Sequence, residues 1–260
     1  MVHVKLKSGC SGGYLSELES IISSTDRKAI SIQPCISDEG YMVRYPPMEG
    51  IGEPDFNIVC KLIRTLYASR TICNLTLRVG RIDDGNVVLT LTHNGELIIQ
   101  RIRRLEDAAI YASRGYRIIL LASRCRLCGF RIFECMIGLC SVCLEKLEFD
   151  DERSILSENV RELLSNLARI SESGLGEIEE YLEDQLRKIS EIIWLAYSID
   201  EAILYASIIL SMMNLYSKIH NAKELKKITD YLNEVCYSDD IEEIINGIVK
   251  LCKEKGKMKL

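Results

Sequence analysis

With 260 residues, nearly half of them hydrophobic and about a quarter charged, the chain has a folded protein's composition and room for more than one domain. A net charge of −5 argues against wholesale coating of nucleic acid, so phosphate binding would have to be local. No run reaches the roughly 18 apolar residues of a spanning helix, and MVHVKLKSGC lacks a signal-peptide core; the expectation is a cytoplasmic protein with no membrane segment.

Val2 to Leu6 alternates as a strand, and KSGCSGG then leads into an apolar-periodic helix, Tyr14 to Ile22. Ser11-Gly12-Gly13 between them suits a backbone nest for an anion, or simply a glycine-rich connection. With Ser16 this stretch resembles the SGGxDS loop of the ATP pyrophosphatase family, Leu15 standing where that loop carries its acid. The resemblance would imply phosphate binding and ATP-dependent transfer. Cys10 is a nucleophile by type, but none of the three histidines (His3, His93, His220) is near enough in sequence to Cys10 to suggest a pair.

Strands are expected at Lys28 to Gln33 and Tyr41 to Tyr45, then a loop, PPMEGIGEP. Ile58, Val59, Leu62, Leu66 and Tyr67 mark one buried face of a helix from Phe56 to Ala68. Three strands follow, Cys73 to Val79, Val87 to Thr92 and Glu96 to Ile102. Asp83-Asp84-Gly85 and His93-Asn94-Gly95 read as tight turns, which makes His93 a turn residue. A short helix, Leu105 to Ser113, and an apolar strand, Arg117 to Ala122, carry the chain to Cys125. The strands do not alternate one-to-one with helices, so an antiparallel α+β sheet is expected and a doubly wound nucleotide fold is disfavoured.

Beyond residue 150 everything reads as helix. Val160, Leu163, Leu164, Leu167 and Ile170 form one stripe, and Ile178, Leu182, Leu186, Ile189, Ile193 and Ala196 the next. Capping-box spacings at Ser198/Glu201, Asn221/Glu224 and Asp239/Glu242 open three more helices. The helix from Ile199 to Lys218 is apolar nearly all round, which places it at a bundle centre or against a partner.

Five of the eleven cysteines, Cys125, Cys128, Cys135, Cys140 and Cys143, fall within nineteen residues. In a cytosolic chain, tight CxxC pairs more often hold metal than disulfides. Cys125-x2-Cys128-Gly129 and Cys140-x2-Cys143 resemble the two knuckles of a zinc ribbon, which would imply a four-thiolate zinc site. The second knuckle lacks the usual glycine. The same run also resembles half of a bacterial-type ferredoxin, C-x2-C-x2-C-x3-C-P, with Cys125, Cys128 and Cys135 at its first, second and fourth cysteines. Arg131 and Met136 stand at the third cysteine and the proline, so that likeness implies an iron–sulfur cluster completed by Cys140 or Cys143. A degenerate site held by disulfides or packing is the third possibility. Cys10, Cys35, Cys60, Cys73, Cys236 and Cys252 read as small buried hydrophobes. Few Gln and many Ile, Glu, Lys and Arg suit a thermophile, which admits disulfides among them.

Eight arginines and no lysine lie between Arg101 and Arg131, against only Glu106 and Asp107, and from Glu145 to Ser190 thirteen acids face six bases. Arg124, Arg126, Arg131, Arg117 and Arg104 are the candidate nucleic-acid contacts, because guanidinium suits bidentate phosphate binding. Pairing with the acidic helices serves equally well. The expected architecture is α+β: an α+β domain over 1–122, a metal-binding cysteine segment over 123–150, and a helical bundle over 151–260. The expected function is a non-enzymatic, zinc-stabilised accessory protein acting on nucleic acid or within a protein complex, its C-terminal helices docking a protein partner. The alternative is an iron–sulfur protein passing electrons to or from a partner.

Overall fold

The computed structural model describes residues 2–6, 30–34, 40–48, 50–66, 70–137, 139–140, 144–149, 155–171, 174–195, 200–236 and 241–256. The expected helix Tyr14 to Ile22, the Ser11-Gly12-Gly13 loop, Cys10, Cys35 and Cys143 lie outside these residues. The chain forms two compact units: Leu6–Ile132 with Ile193–Leu195, and Met1–Lys5, Phe133–Ile192 and Ala196–Leu260.

The first unit carries a six-stranded antiparallel sheet of β2 (Ser31–Pro34), β3 (Tyr41–Tyr45), β4 (Thr71–Asn74), β5 (Val79–Asp83), β6 (Val88–Leu91) and β7 (Leu97–Ile102), in the order β2-β3-β7-β6-β5-β4. Leu97 and Ile99 alternate inward on β7 and pair with Tyr45 and Val43. The alternation then slips by one residue, so that Ile102 is the next buried position. Arg101 absorbs the slip with φ +64°, opposite a register shift in β3. This is a β-bulge, which re-aims the side chain beside it. Helix α1 (Phe56–Leu66) packs on β4 and β5, and α2 (Leu105–Ala122) on β6 and β7. Val59, Leu62, Ile63, Ala112, Tyr116 and Ile119 close the core from the helix side.

Two local expectations change. The run Cys73 to Val79 is not one strand: the Asn74 side-chain oxygen accepts the Leu77 amide (2.8 Å), an Asx turn that separates β4 from β5. Leu105 to Ala122 is a single helix, not a helix and a strand. Residues 118–122 are buried all round, and a short, fully buried apolar run has no period by which to tell strand from helix. Gly115 lets α2 lie close to the sheet: a Cβ there would sit 2.9 Å from Leu97. Close packing outweighs the roughly 1 kcal/mol that a mid-helix glycine costs.

In the second unit β1 (Val2–Leu6) pairs with β8 (Leu144–Phe149) in a two-stranded sheet. Helices α3 (Ile132–Met136), α4 (Ile155–Ile170), α5 (Leu175–Leu195), α6 (Asp200–Tyr216), α7 (Ala222–Cys236) and α8 (Ile241–Gly256) complete the described elements. The expected stripes face inward: Val160, Leu163, Leu164 and Leu167 on α4, and Ile178, Leu182, Leu186 and Ile189 on α5, are buried. Asn221 caps α7, accepting the Glu224 amide at 2.9 Å. Every residue from Ala202 to Met212 on α6 is buried, so this helix is the bundle centre. No helix among the described residues is long and apolar enough to cross a membrane.

Candidate metal centre

The cysteine segment begins where α2 ends and is built by short-range backbone bonds. The Cys125 amide donates to the Phe130 carbonyl (2.7 Å), and the Gly129 amide donates back to the Cys125 carbonyl (2.9 Å). This tight knuckle holds Cys125 and Cys128 on one turn. Gly129 has φ +76°, a conformation that costs other residues about 1–2 kcal/mol. Arg124 bridges Arg131 across the base of the turn, and the Ile132 amide reaches the Ser123 carbonyl at 2.8 Å. The run after the knuckle is one residue of bridge, Arg131, and then helix α3.

A loop far away in sequence clamps the knuckle. Ile51 bridges Cys125, the Gly52 amide donates to the Arg124 carbonyl (2.7 Å), and the Arg126 amide donates to the Gly50 carbonyl (3.2 Å). Asp55 accepts from the Arg131 guanidinium at 3.2 Å, an ion pair that is about three-quarters shielded from solvent. The turn-rich segment PPMEGIGEP is thus a support for the site, which nothing in its composition announces.

Helix α3 turns the chain back, and Cys135 comes to the knuckle. The Sγ atoms of Cys125, Cys128 and Cys135 all lie within 4.8 Å of one another. Cys125 and Cys135 are buried and Cys128 is half-buried. Cys140, five residues further on, is also buried. Cysteines 125, 128, 135 and 140 form a cluster that can hold a metal, since thiolates are ligands for zinc, copper(I) and iron–sulfur centres alike. The paired 125/128 and 140/143 spacing names Cys140 and Cys143 as the further ligands, and the ferredoxin likeness names Cys135; the fold brings Cys135 to the knuckle, because α3 returns it over a single turn.

The expected arginine contacts separate into different environments. Arg124 and Arg126 are exposed beside the knuckle, Arg124 donating to the Gly129 carbonyl at 3.1 Å. Arg131 is engaged with Asp55. Arg104 is exposed and 3.7 Å from Glu106. Arg117 is only 6% exposed, on the inner side of α2. Other arginines of the same zone come together elsewhere: Arg101, Arg103 and Arg114 line a cavity of about 800 Å³ with Gly85, Asn86, Val87, Asp107, Ile110 and Tyr111.

Of the scattered cysteines, Cys60 on α1 and Cys73 on β4 form a disulfide, with Cα atoms 5.4 Å apart. Cys252 on α8 is half-buried, and desolvation, with Glu134 nearby, pushes its thiol up to about 12 despite the opposing charge of Lys218. His93 and His220 are exposed, His93 within its turn. Compared with known proteins, the chain matches no protein family, no curated protein and no solved structure.

Proposed function

We propose that this is a non-enzymatic accessory protein, stabilised by one structural zinc ion at the cysteine cluster, that binds nucleic acid through the arginines around it. The observation that carries the reading is the convergence of Cys125, Cys128 and Cys135 on a knuckle flanked by exposed Arg124 and Arg126. Tetrahedral zinc with bonds of about 2.3 Å holds its sulfurs about 3.8 Å apart, so three thiols within 4.8 Å suit one ion. Cys140 supplies the fourth thiolate, leaving no open position for substrate; such a centre contributes folding energy, not catalysis. Four thiolates on a dication carry a net charge of −2, and exposed Arg124 and Arg126 offset it while presenting guanidinium to phosphate; Arg131 is instead paired with Asp55. The helical unit is the part suited to a protein partner. A disulfide in a chain that also keeps free thiols fits an intracellular protein of a thermophile, as the composition does.

The second reading is an iron–sulfur electron carrier. Its support is that Cys125, Cys128 and Cys135 occupy the first, second and fourth cysteine positions of a ferredoxin loop. Metal analysis and a visible spectrum of anaerobically purified protein separate the two. A colourless protein with one zinc per chain, lost in Cys125→Ser, Cys128→Ser, Cys135→Ser and Cys140→Ser alike, supports the first reading. A brown protein with broad visible absorption supports the second, and no metal under any preparation removes both. Titration with labelled RNA and DNA at several salt concentrations tests the arginines, since phosphate neutralisation weakens steeply with salt.

A further inference from the structure

We propose that the cavity lined by Arg101, Arg103, Arg114 and Asp107 is a binding site for a phosphate ester of a sugar, taken as a free nucleotide or as one unit of a nucleic-acid strand. The proposal deepens the phosphate-binding reading above, and it moves the principal contact from the knuckle to this pocket.

Three elements build the pocket. Gly85, Asn86 and Val87 form one wall, the bulged end of β7 with Arg103 a second, and α2 from Asp107 to Arg114 the third. At about 800 Å³ it has the size of a small-molecule site. Arg101 enters it from the left-handed residue of the bulge (φ +64°), a backbone position rarely held by a side chain as large as arginine. Strained residues of this kind cluster at ligand sites. Arg114 is held over the Tyr111 ring, its guanidinium carbon 5.1 Å from the ring centroid. Arg103 is exposed and makes no ion pair among the described residues. Helix α2 begins here without a side-chain cap from Arg104, and the positive end of its dipole adds to the field.

The acids nearby are already engaged. Asp83 accepts the Gly85 amide (3.0 Å) and lies within 3.6 Å of Arg81 and 3.5 Å of Arg101. Asp84 accepts the Asn86 and Val87 amides and the Tyr111 hydroxyl. Three guanidiniums and one carboxylate line the cavity, Arg101 being paired with Asp83, and guanidinium is the side-chain group that binds phosphate bidentately. Asp107 is the acceptor a sugar hydroxyl would use, Asn86 offers both a donor and an acceptor, and exposed Ile110 gives an apolar edge.

The test uses the full chain with inorganic pyrophosphate and ATP by calorimetry, and a labelled twelve-nucleotide RNA by anisotropy. Arg103→Glu is the pocket variant, and Arg126→Glu is the control at the knuckle. Both residues are exposed, and unchanged melting temperatures confirm that the variants fold. Saturable binding of pyrophosphate and ATP that weakens at least tenfold in Arg103→Glu, and not in Arg126→Glu, supports the site with a free nucleotide as its source. Binding of RNA alone, lost in Arg103→Glu, supports it with a strand as the source. RNA binding lost only in Arg126→Glu overturns the pocket while leaving the nucleic-acid reading standing. No saturable binding of any probe overturns both.

Discussion

Opening the Cys60–Cys73 disulfide should destabilise the first unit by about 3 kcal/mol. The bond closes a loop with a sequence separation of 13 residues, and the chain-entropy relation gives about 2.9 kcal/mol at 25 °C for a loop of that length. Its position adds a second consequence. Strand β4 is the last of the six, and Ile72, Leu75 and Leu77 at this edge are exposed. The disulfide ties the edge to α1, so reduction loosens a strand that has apolar side chains and, among the described residues, no neighbour on one side, an arrangement prone to pair with other chains. The assay is differential scanning calorimetry of native protein with and without a phosphine reductant, with intact mass confirming the two-hydrogen change. The transition of the first unit should move down by roughly 10 °C, and light scattering should rise on heating. A shift below about 2 °C in fully reduced protein would refute the entropic argument. Native protein already carrying two thiols at these positions would refute the cross-link itself.

Three further outcomes follow from the same packing. Gly129→Ala should lower the stability of the metal-loaded protein by about 1 kcal/mol, because nothing crowds the added methyl and only the left-handed backbone opposes it; an unchanged urea midpoint would show the knuckle turn to be softer than it looks. Ile208→Glu, at a side chain with no exposure, should cost on the order of 4 kcal/mol or more and abolish helical signal and solubility. A well-folded variant that merely changes from dimer to monomer would instead place α6 at a partner interface. Alkaline pH should destabilise the protein, since burial raises the Tyr116, Tyr205 and Tyr216 phenols above their ordinary value and the Cys252 thiol to about 12. These groups stay neutral in the fold where the unfolded chain has already ionised. Their stability is therefore full below about pH 9 and declines as pH rises through the folded values. A urea midpoint that holds constant from pH 7 to pH 11 would contradict this.

Features that depend on neighbours along the chain were legible in the amino-acid order alone. The amphipathic stripes of α4 and α5, the Asn221 cap, the turns at Asp83 to Gly85 and His93 to Gly95, and the Cys125–Gly129 knuckle all rest on periods or spacings within a few residues. The α+β class follows from adding those local choices together. Where a segment is apolar on every side, as in residues 118–122, the period vanishes, and only packing against β6 and β7 decides that it is helix. The spacing left two sets of ligands open, one with Cys135 and one with Cys140 and Cys143; that Cys135 meets Cys125 and Cys128 depends on where the single turn of α3 points. The support from residues 50–55, the cross-link between Cys60 and Cys73, and the gathering of Arg101, Arg103 and Arg114 around one cavity depend on contacts between residues far apart or on separate elements. A run of arginines has one charge pattern in sequence. The tertiary structure distributes it into a buried residue at 117, an ion-paired one at 131, exposed ones at 124 and 126, and three around one pocket at 101, 103 and 114.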